Sequence, residues 1–536
     1  MSQPTGLPAA LAEWRQRLGD ARVLVGEQAS RRYGADTTAV VRAIPAALVP
    51  TAVADIVALV KTARAQGVPL YPISQGNNWG YGSANPVVDG CVIVDLSAMN
   101  RILDLDADTG VLTIEPGVTQ RQLRDYLHHH GLPFLVPVHG GGPDCSLVGN
   151  ALERGYGITP YADHFGAVMA LEAVLPNGEL YRSPLSELGG VTVDRSFKWG
   201  FGPYLDGLFT QGNFGIVTQM TLALAPVPER IQAFFFGLAR DEDLEPAVDR
   251  IRATLREVGM ITGSINLMNA RRVLSMMEPY PFDRTAGGII PPAVLQEMAR
   301  RNQVMTWMGV GAIYGNARVV KATRAVIRRT LRPVARRLTF LSPSLVSQAL
   351  RWINRLPGQG GRLGHVIGTL HKTLQLMAGS PSEIALPLAY WKSGTPPADG
   401  SPLNPARDGC GLIWYAPLVP MKPERVRCYV EMVKTVCTDH GIEPLITLTS
   451  LSERCYDSTV PLLFDRRNAA ETERAHACYE ALFIAGRQEG FLPYRTSVQS
   501  MHLFTDPAMP CWRLARQLKQ AVDPQNILAP GRYALE

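Results

Sequence analysis

YPISQGNNWGYGSANP, residues 71–86, holds three glycines, three asparagines and two prolines in sixteen positions. The residues before it read differently. TAVADIVALVKTARAQ (51–66) sets apolar side chains at helical spacing behind a capping threonine, and Gly67 stops it. VPLYPI (68–73) then reads as a short buried strand. A run so rich in turn-formers suits an idle surface loop. It suits equally a loop whose successive N–H groups turn into one concavity and hold phosphate oxygens without a basic side chain. Glycine serves that second role because it tolerates positive φ and lets the backbone approach a ligand closely. The loop alone does not separate the two readings.

Working outward, CVIVDLSAMN (91–100) reads as a strand with a turn, and VLTIEPGVT (111–119) as a strand ending in Pro-Gly. QRQLRDYLHHHG (120–131) is a helix closed by glycine, with His128 to His130 suited to its negative C-terminal end. FGAVMALEAVLPNGELYR (165–182) reads as a hairpin around Asn-Gly, and IVTQMTLALAPVPE (216–229) as a strand with a proline-rich exit. A domain boundary is expected near residue 226. Beyond it, strands alternate with long helices. One helix, expected over 317–338, aligns Val320, Ile327, Leu331, Val334 and Leu338 and crowds six arginines onto the remainder. That face suits either solvent or an acidic or membrane surface. A polar loop (396–409) precedes the strand CGLIWYAPLVP, and AVDPQNILAPGRYALE closes the chain as a helix followed by turns.

The 536 residues exceed what one core needs, so two or more domains are expected. With 46% hydrophobic and 19% charged residues, the composition is that of a globular protein rather than a disordered one. A net charge of +6 over this length does not imply nucleic acid as a partner. The first twenty residues lack the pattern of a signal peptide, and the most apolar stretch, 39–60, is broken by Arg42, Pro45, Pro50 and Asp55. No transmembrane segment is expected. The eight cysteines form no C-x-x-C pair, which argues against a metal site or disulfide framework and suits the cytoplasm. Walker A, H-E-x-x-H and strand-to-helix G-x-G-x-x-G motifs are absent.

Six segments in order carry a more specific signal: PISQGNNWGYGSANP, IEPGVTQRQLRDYL, VGNALERGYGITPYADHF, FKWGFGPYLDGLFTQGNFGIVT, PYR and AVDPQNILAPGR. Together they resemble the FAD-dependent oxidoreductases of the vanillyl-alcohol oxidase and p-cresol methylhydroxylase family. The likeness is dense over 71–220 and 440–535 and thin over 230–380. It implies an α+β fold of two domains. An FAD-binding domain is built from residues 1–225 and completed by 491–536. A cap domain on a large antiparallel sheet, 226–490, covers the isoalloxazine ring. It implies that Ser74, Gln75, Gly76, Asn77, Asn78, Gly80, Tyr81 and Gly82 wrap the pyrophosphate of FAD. Gly149, Asn150, Glu153, Arg154, Gly155 and Gly157 would follow along the cofactor, with Ile216 and Val217 near the adenine. Arg532 would stand at the pyrimidine edge, where positive charge favours the reduced anion; an ordinary ion pair is the competing reading.

The family's chemistry has stated physical needs. Removing hydride from a benzylic carbon leaves positive charge there, which a para phenolate neutralises by becoming a quinone methide. A free phenol has a pKa near ~10, so cations and hydrogen-bond donors must favour its anion. Tyr81, Tyr494 and Arg495 stand at the matching motif positions and are the expected cradle. Asp457 replaces one of the family's paired histidines and reads either as a base or as the cap of a following helix. Covalent flavin attachment is open: Leu412 stands where one branch has a histidine, and Tyr390 is near the other branch's tyrosine, although an alternative register puts Ala389 there. Cys410 is a further option. The aspartate near the flavin in one branch falls on Gly141, with Asp144 shifted. The resemblance further implies a phenolic substrate, oxygen or a c-type cytochrome as electron acceptor, and a homo-oligomer. A non-phenolic alcohol as substrate, or an inactive flavin-binding partner subunit, are the rival readings.

Overall fold

The structure, a computed structural model, describes residues 4–285, 287–353 and 361–534. The helix expected first runs from Val53 to Gln66 and ends at Gly67 in the left-handed conformation. Its buried face (Ile56, Leu59, Val60, Ala63) packs with the opening helix Leu7–Leu18 over Leu70, Val92 and Val94. These last belong to a four-stranded sheet. Leu70–Ile73 and Ala46–Leu48 flank Val92–Asp95 in parallel, and Val23–Val25 closes one edge antiparallel. The C-terminal segment returns here. Leu528 bridges Leu70, and buried Lys519 donates to the Leu528 carbonyl at 3.0 Å and to Asp523 at 2.5 Å.

A second, antiparallel sheet orders its strands Ile102–Asp106, Val111–Ile114, Ile216–Ala223, Val168–Val174 and Leu180–Arg182. The last two are the hairpin that Asn177-Gly178 announces, with Gly178 at φ +83°.

The third sheet is antiparallel with eight strands: Arg337–Leu341, Arg230–Leu238, Trp307–Gly315, Asn266–Asn269, Thr447–Ser450, Cys455–Phe464, Gly411–Pro420 and Pro493–Arg495. Side chains alternate across it. Phe234, Phe236, Leu267 and Leu448 face the helices Leu244–Val258, Ala317–Leu331, Pro423–Asp439 and Ala469–Glu489 and make the largest core. Ser458 faces the same way, accepting from the Tyr429 hydroxyl at 2.7 Å. Its neighbours Asp457 and Thr459 therefore face the opposite side. The fold is α+β with a large antiparallel sheet.

Two expectations are corrected here. The basic helix ends at Leu331, because Pro333 cannot continue it, and Arg337–Leu341 is an edge strand pairing with Ala233 to Gly237. Arg324 and Arg328 lie over the Phe340 ring, and Arg329 pairs with Glu257. Asp457 caps no helix: it sits within strand Cys455–Phe464, and Asn468 caps the helix that follows. The strand Pro493–Arg495, although beyond residue 490, hydrogen-bonds the large sheet through Ala416 and Pro417. Among the described residues no helix is long and apolar enough to cross a membrane.

Candidate active site

A cavity of about 700 Å³ is walled by parts of all three sheets. Ser74, Gln75, Gly76, Asn77, Asn78 and Tyr81 of the glycine-rich loop line it, with Gly149, Asn150, Glu153, Gly155, Ile216, Val217 and Arg532. Gly80, Gly82, Arg154, Gly157 and Tyr390 do not. The first two set the path of the loop. At Gly80 (φ +78°) a Cβ would stand 2.2 Å from the Trp414 ring, and at Gly82 (φ +118°) 2.6 Å from Val498. Arg154 donates to Thr210 Oγ1 at 3.0 and 3.1 Å. A Cβ at Gly157 would meet the Val138 carbonyl oxygen at 2.4 Å.

One part of the wall gathers the expected catalytic side chains. Tyr494 donates to Asp457 Oδ2 at 3.4 Å. The Arg495 guanidinium lies 4.2 Å from the centre of the Tyr81 ring and donates to Asn78 Oδ1. Behind it, Glu153 stands between two arginines: Arg495 at 3.8 Å and Arg532, with which it pairs directly. Arg532 also donates to the Tyr71 hydroxyl at 3.2 Å. Burial pushes the Glu153 carboxyl up, but the two arginines outweigh it and hold it below its ordinary value. Burial pushes Asp457 up to about 7, with Tyr494 and Arg495 only partly opposing. Burial likewise raises the hydroxyls of Tyr81 and Tyr494, so both stay protonated. Asp457 Oδ1 and Arg495 Nε are buried without a hydrogen-bond partner. A polar ligand group would satisfy them.

Residues 44–183 match the FAD binding domain family. The chain is 38% identical to the 1'-carboxy-chondrochloren decarboxylase of Chondromyces crocatus, over 98% of this chain and 97% of that protein. It is 30% identical to the 4-cresol dehydrogenase (hydroxylating) flavoprotein subunit of Pseudomonas putida, over 98% and 95%. The chain belongs to the vanillyl-alcohol oxidase and p-cresol methylhydroxylase family. Its fold superposes on p-cresol methylhydroxylase with substrate bound at a TM-score of 0.87 and 28% identity, covering 99% of this chain and 97% of the other. The 4-ethylphenol oxidase from Gulosibacter chungangensis shares that fold at a TM-score of 0.87, with 23% identity and 100% and 99% coverage.

This family member is therefore an FAD-dependent oxidoreductase. Its cavity fits the cofactor: the volume lies in the range of about 300–1,000 Å³ typical of such sites, and residues 74–79 offer backbone without a basic side chain. A Cβ at Gly149 would stand 3.2 Å from Ser74 Oγ, so glycine keeps that side of the wall open.

At the attachment positions, Leu412 and Ala389 line the cavity while Tyr390 and Cys410 do not. The Tyr390 hydroxyl donates instead to Asp408 at 2.6 Å. Gly141 lines the cavity; Asp144 pairs with Arg121 at 2.7 Å. His128 and His129 end the helix Gln120–His129, and His130 is its C-cap. Among the described residues no cluster suits a metal ion.

The cavity also contains residues the sequence did not single out: Trp79, His139, Cys145, Arg272, Trp414, and Thr447, Thr449 and Thr459. The threonines had a signal, since alternation within strand 455–464 puts Thr459 on the face of Asp457. Arg272 had none, because Arg-Arg in a short helix reads as surface charge.

Proposed function

We propose that this flavoenzyme oxidises para-substituted phenols, of the 4-alkylphenol or 4-hydroxybenzyl alcohol type, at the benzylic carbon. The observation that carries the reading is the convergence of Tyr81, Tyr494, Arg495 and Asp457 on one cavity. In this reading the phenol proton passes by way of the Tyr494 hydroxyl to Asp457. Burial keeps that carboxyl's affinity for a proton close to neutrality. Arg495, only partly neutralised by Glu153, and the Tyr81 hydroxyl stabilise the phenolate. When bound, FAD supplies the acceptor for the hydride that leaves the benzylic carbon. The resulting quinone methide takes up water or loses a proton.

A second outcome is favoured by the 38% identity to a decarboxylase. A quinone methide with a carboxylate on the next side-chain carbon can lose carbon dioxide, the released bonding pair restoring the aromatic phenolate and leaving an alkene.

Anaerobic mixing of the holoenzyme with a substrate panel tests the reading. Bleaching of the flavin by 4-alkylphenols supports it, and release of carbon dioxide from a carboxylated phenol supports the second outcome. Bleaching by aliphatic alcohols alone overturns both in favour of a non-phenolic substrate. Failure of every compound indicates an inactive partner subunit. Oxygen or a c-type cytochrome is the proposed acceptor; the 4-cresol dehydrogenase relative is named a flavoprotein subunit. A homo-oligomer is proposed, and sedimentation tests it. All eight cysteines are free, which supports a cytoplasmic location.

A further inference from the structure

Arg272 is a buried cation that neither the core nor the phenol cradle uses. It lies in the helix Ala270–Leu274, directly after strand Asn266–Asn269. Its neighbour Arg271 is fully engaged, ion-paired to buried Glu443 and donating to the Ile290 carbonyl at 2.9 Å. Arg272 is only 8% exposed, yet its Nε and Nη1 meet no hydrogen-bond acceptor. Burial lowers its pKa to about 10, with no acidic group opposing. Its side chain forms part of the cavity wall.

The sheet links this cation to the cradle. Asn266 pairs with Thr449, and Thr449 with Asp457; Met268 pairs with Thr447, and Thr447 with Thr459. All six line the cavity. Asn266 Oδ1 and Thr447 Oγ1 are buried without partners, as is Asp457 Oδ1. The wall is thus a partly polar floor with Asp457 on one strand and the strand leading to Arg272 two spacings away, about 10 Å. A charge buried without a counter-ion is unfavourable, and an entering anion removes the penalty. The planar guanidinium suits a carboxylate in particular, which it meets with two parallel hydrogen bonds.

We propose that Arg272 binds a carboxylate carried on the para side chain of the substrate, so that the enzyme prefers 4-hydroxyphenyl carboxylates to simple alkylphenols. This rests on the phenol reading of the cavity. The ring is then held at the cradle and the anion at Arg272, and the benzylic carbon is fixed by both. The spacing requires a side chain that extends well beyond the ring.

The test is equilibrium binding to the oxidised holoenzyme, read by titration calorimetry and by perturbation of the flavin spectrum. The ligands lack a saturated benzylic carbon and so are not oxidised there: 4-hydroxycinnamate, its methyl ester, 4-vinylphenol and cinnamate. The wild type is expected to bind the acid about tenfold or more tighter than the ester, as a charge-assisted pair predicts. Arg272→Met and Arg272→Gln should abolish that preference while leaving ester affinity nearly unchanged, and Arg272→Lys should keep part of it. Equal affinity for acid and ester in the wild type overturns the proposal, as does a preference that survives in Arg272→Met. Cinnamate binding as tightly as 4-hydroxycinnamate, in an Arg272-dependent way, upholds the anion site and sinks the phenol reading instead. Thermal unfolding gives a second measure. Removing an unpaired buried charge should leave Arg272→Met at least as stable as the wild type. A lower melting temperature with loss of FAD would make Arg272 structural and overturn the assignment.

Discussion

The Tyr494 hydroxyl donates to Asp457 Oδ2 across 3.4 Å, at the boundary between the last short strand of the large sheet and the cavity. The donor comes from Pro493–Arg495 and the acceptor from Cys455–Phe464, which are separated by Gly411–Pro420. A carboxyl and a phenol so placed can pass a proton in either direction, and the direction depends on whether Asp457 is ionised.

Because burial lifts Asp457 to about 7, flavin reduction by a phenol should rise with pH through a single ionisation near neutrality. Asp457→Asn should flatten that profile and slow reduction by about 10²-fold or more. The stability signature has the opposite slope. A carboxyl whose pKa is raised in the folded protein contributes stability that is complete below about pH 4 and is lost as pH rises to about 7. The melting temperature of the wild type should therefore fall relative to that of Asp457→Asn as pH rises across that window. Parallel pH profiles for the two proteins would remove Asp457 from the proton path.

In the proposed reading, Tyr494→Phe and Arg495→Ala each remove one stabiliser of the phenolate. Loss of a single preorganised donor costs on the order of 10²–10³ in rate. Rapid-mixing reduction should slow by that factor in both variants while the purified proteins stay yellow, since residues 74–79 retain their cavity wall. Reduction at the wild-type rate in both would refute the cradle.

Local rules made much of this molecule readable. The helix over 51–66, the Asn-Gly hairpin and the glycine-rich loop follow from spacing and turn chemistry acting within a few residues. What stayed hidden was set by partners distant in the chain. Arg337 and Leu338 continue a helical pattern but are taken as a strand by Phe236 and Gly237, one hundred residues earlier. Asp457 reads as a cap until Ser458 is seen to bond Tyr429 and so turns its neighbour to the cavity. The lack of a partner for Arg272 Nε and Nη1 depends on its own strand and helix and on strands Trp307–Gly315 and Thr447–Ser450, which come from distant parts of the chain, and no local pattern encodes it.

Glu153 separates two buried guanidiniums and is the acid that both face. Glu153→Gln would leave Arg532 and Arg495 underneutralised inside the protein. Breaking a buried pair from one side typically costs about 3–5 kcal/mol. The variant should melt several degrees lower and release FAD more readily, whereas Arg154→Ala, whose hydrogen bonds go to Thr210 and whose charge acts on Glu153 less than those of Arg532 and Arg495, should show a smaller effect on both. Fluorescence of released flavin during a thermal ramp reads both effects at once.

Attachment of the cofactor is decided by which side chains reach the cavity. Of the positions the family likeness points to, Leu412 and Ala389 do, and neither carries a nucleophile; Tyr390 has the right chemistry, but its hydroxyl is engaged by Asp408 at 2.6 Å outside the wall. That hydrogen bond and burial both raise the Tyr390 hydroxyl's pKa, which further disfavours the phenolate needed for bond formation. FAD is therefore expected to be held without a covalent bond. Acid precipitation should leave a colourless pellet and a yellow supernatant, and Tyr390→Phe should retain the flavin. A pellet that stays yellow in the wild type and loses its colour in Tyr390→Phe would show that this tyrosine turns inward to the bound cofactor.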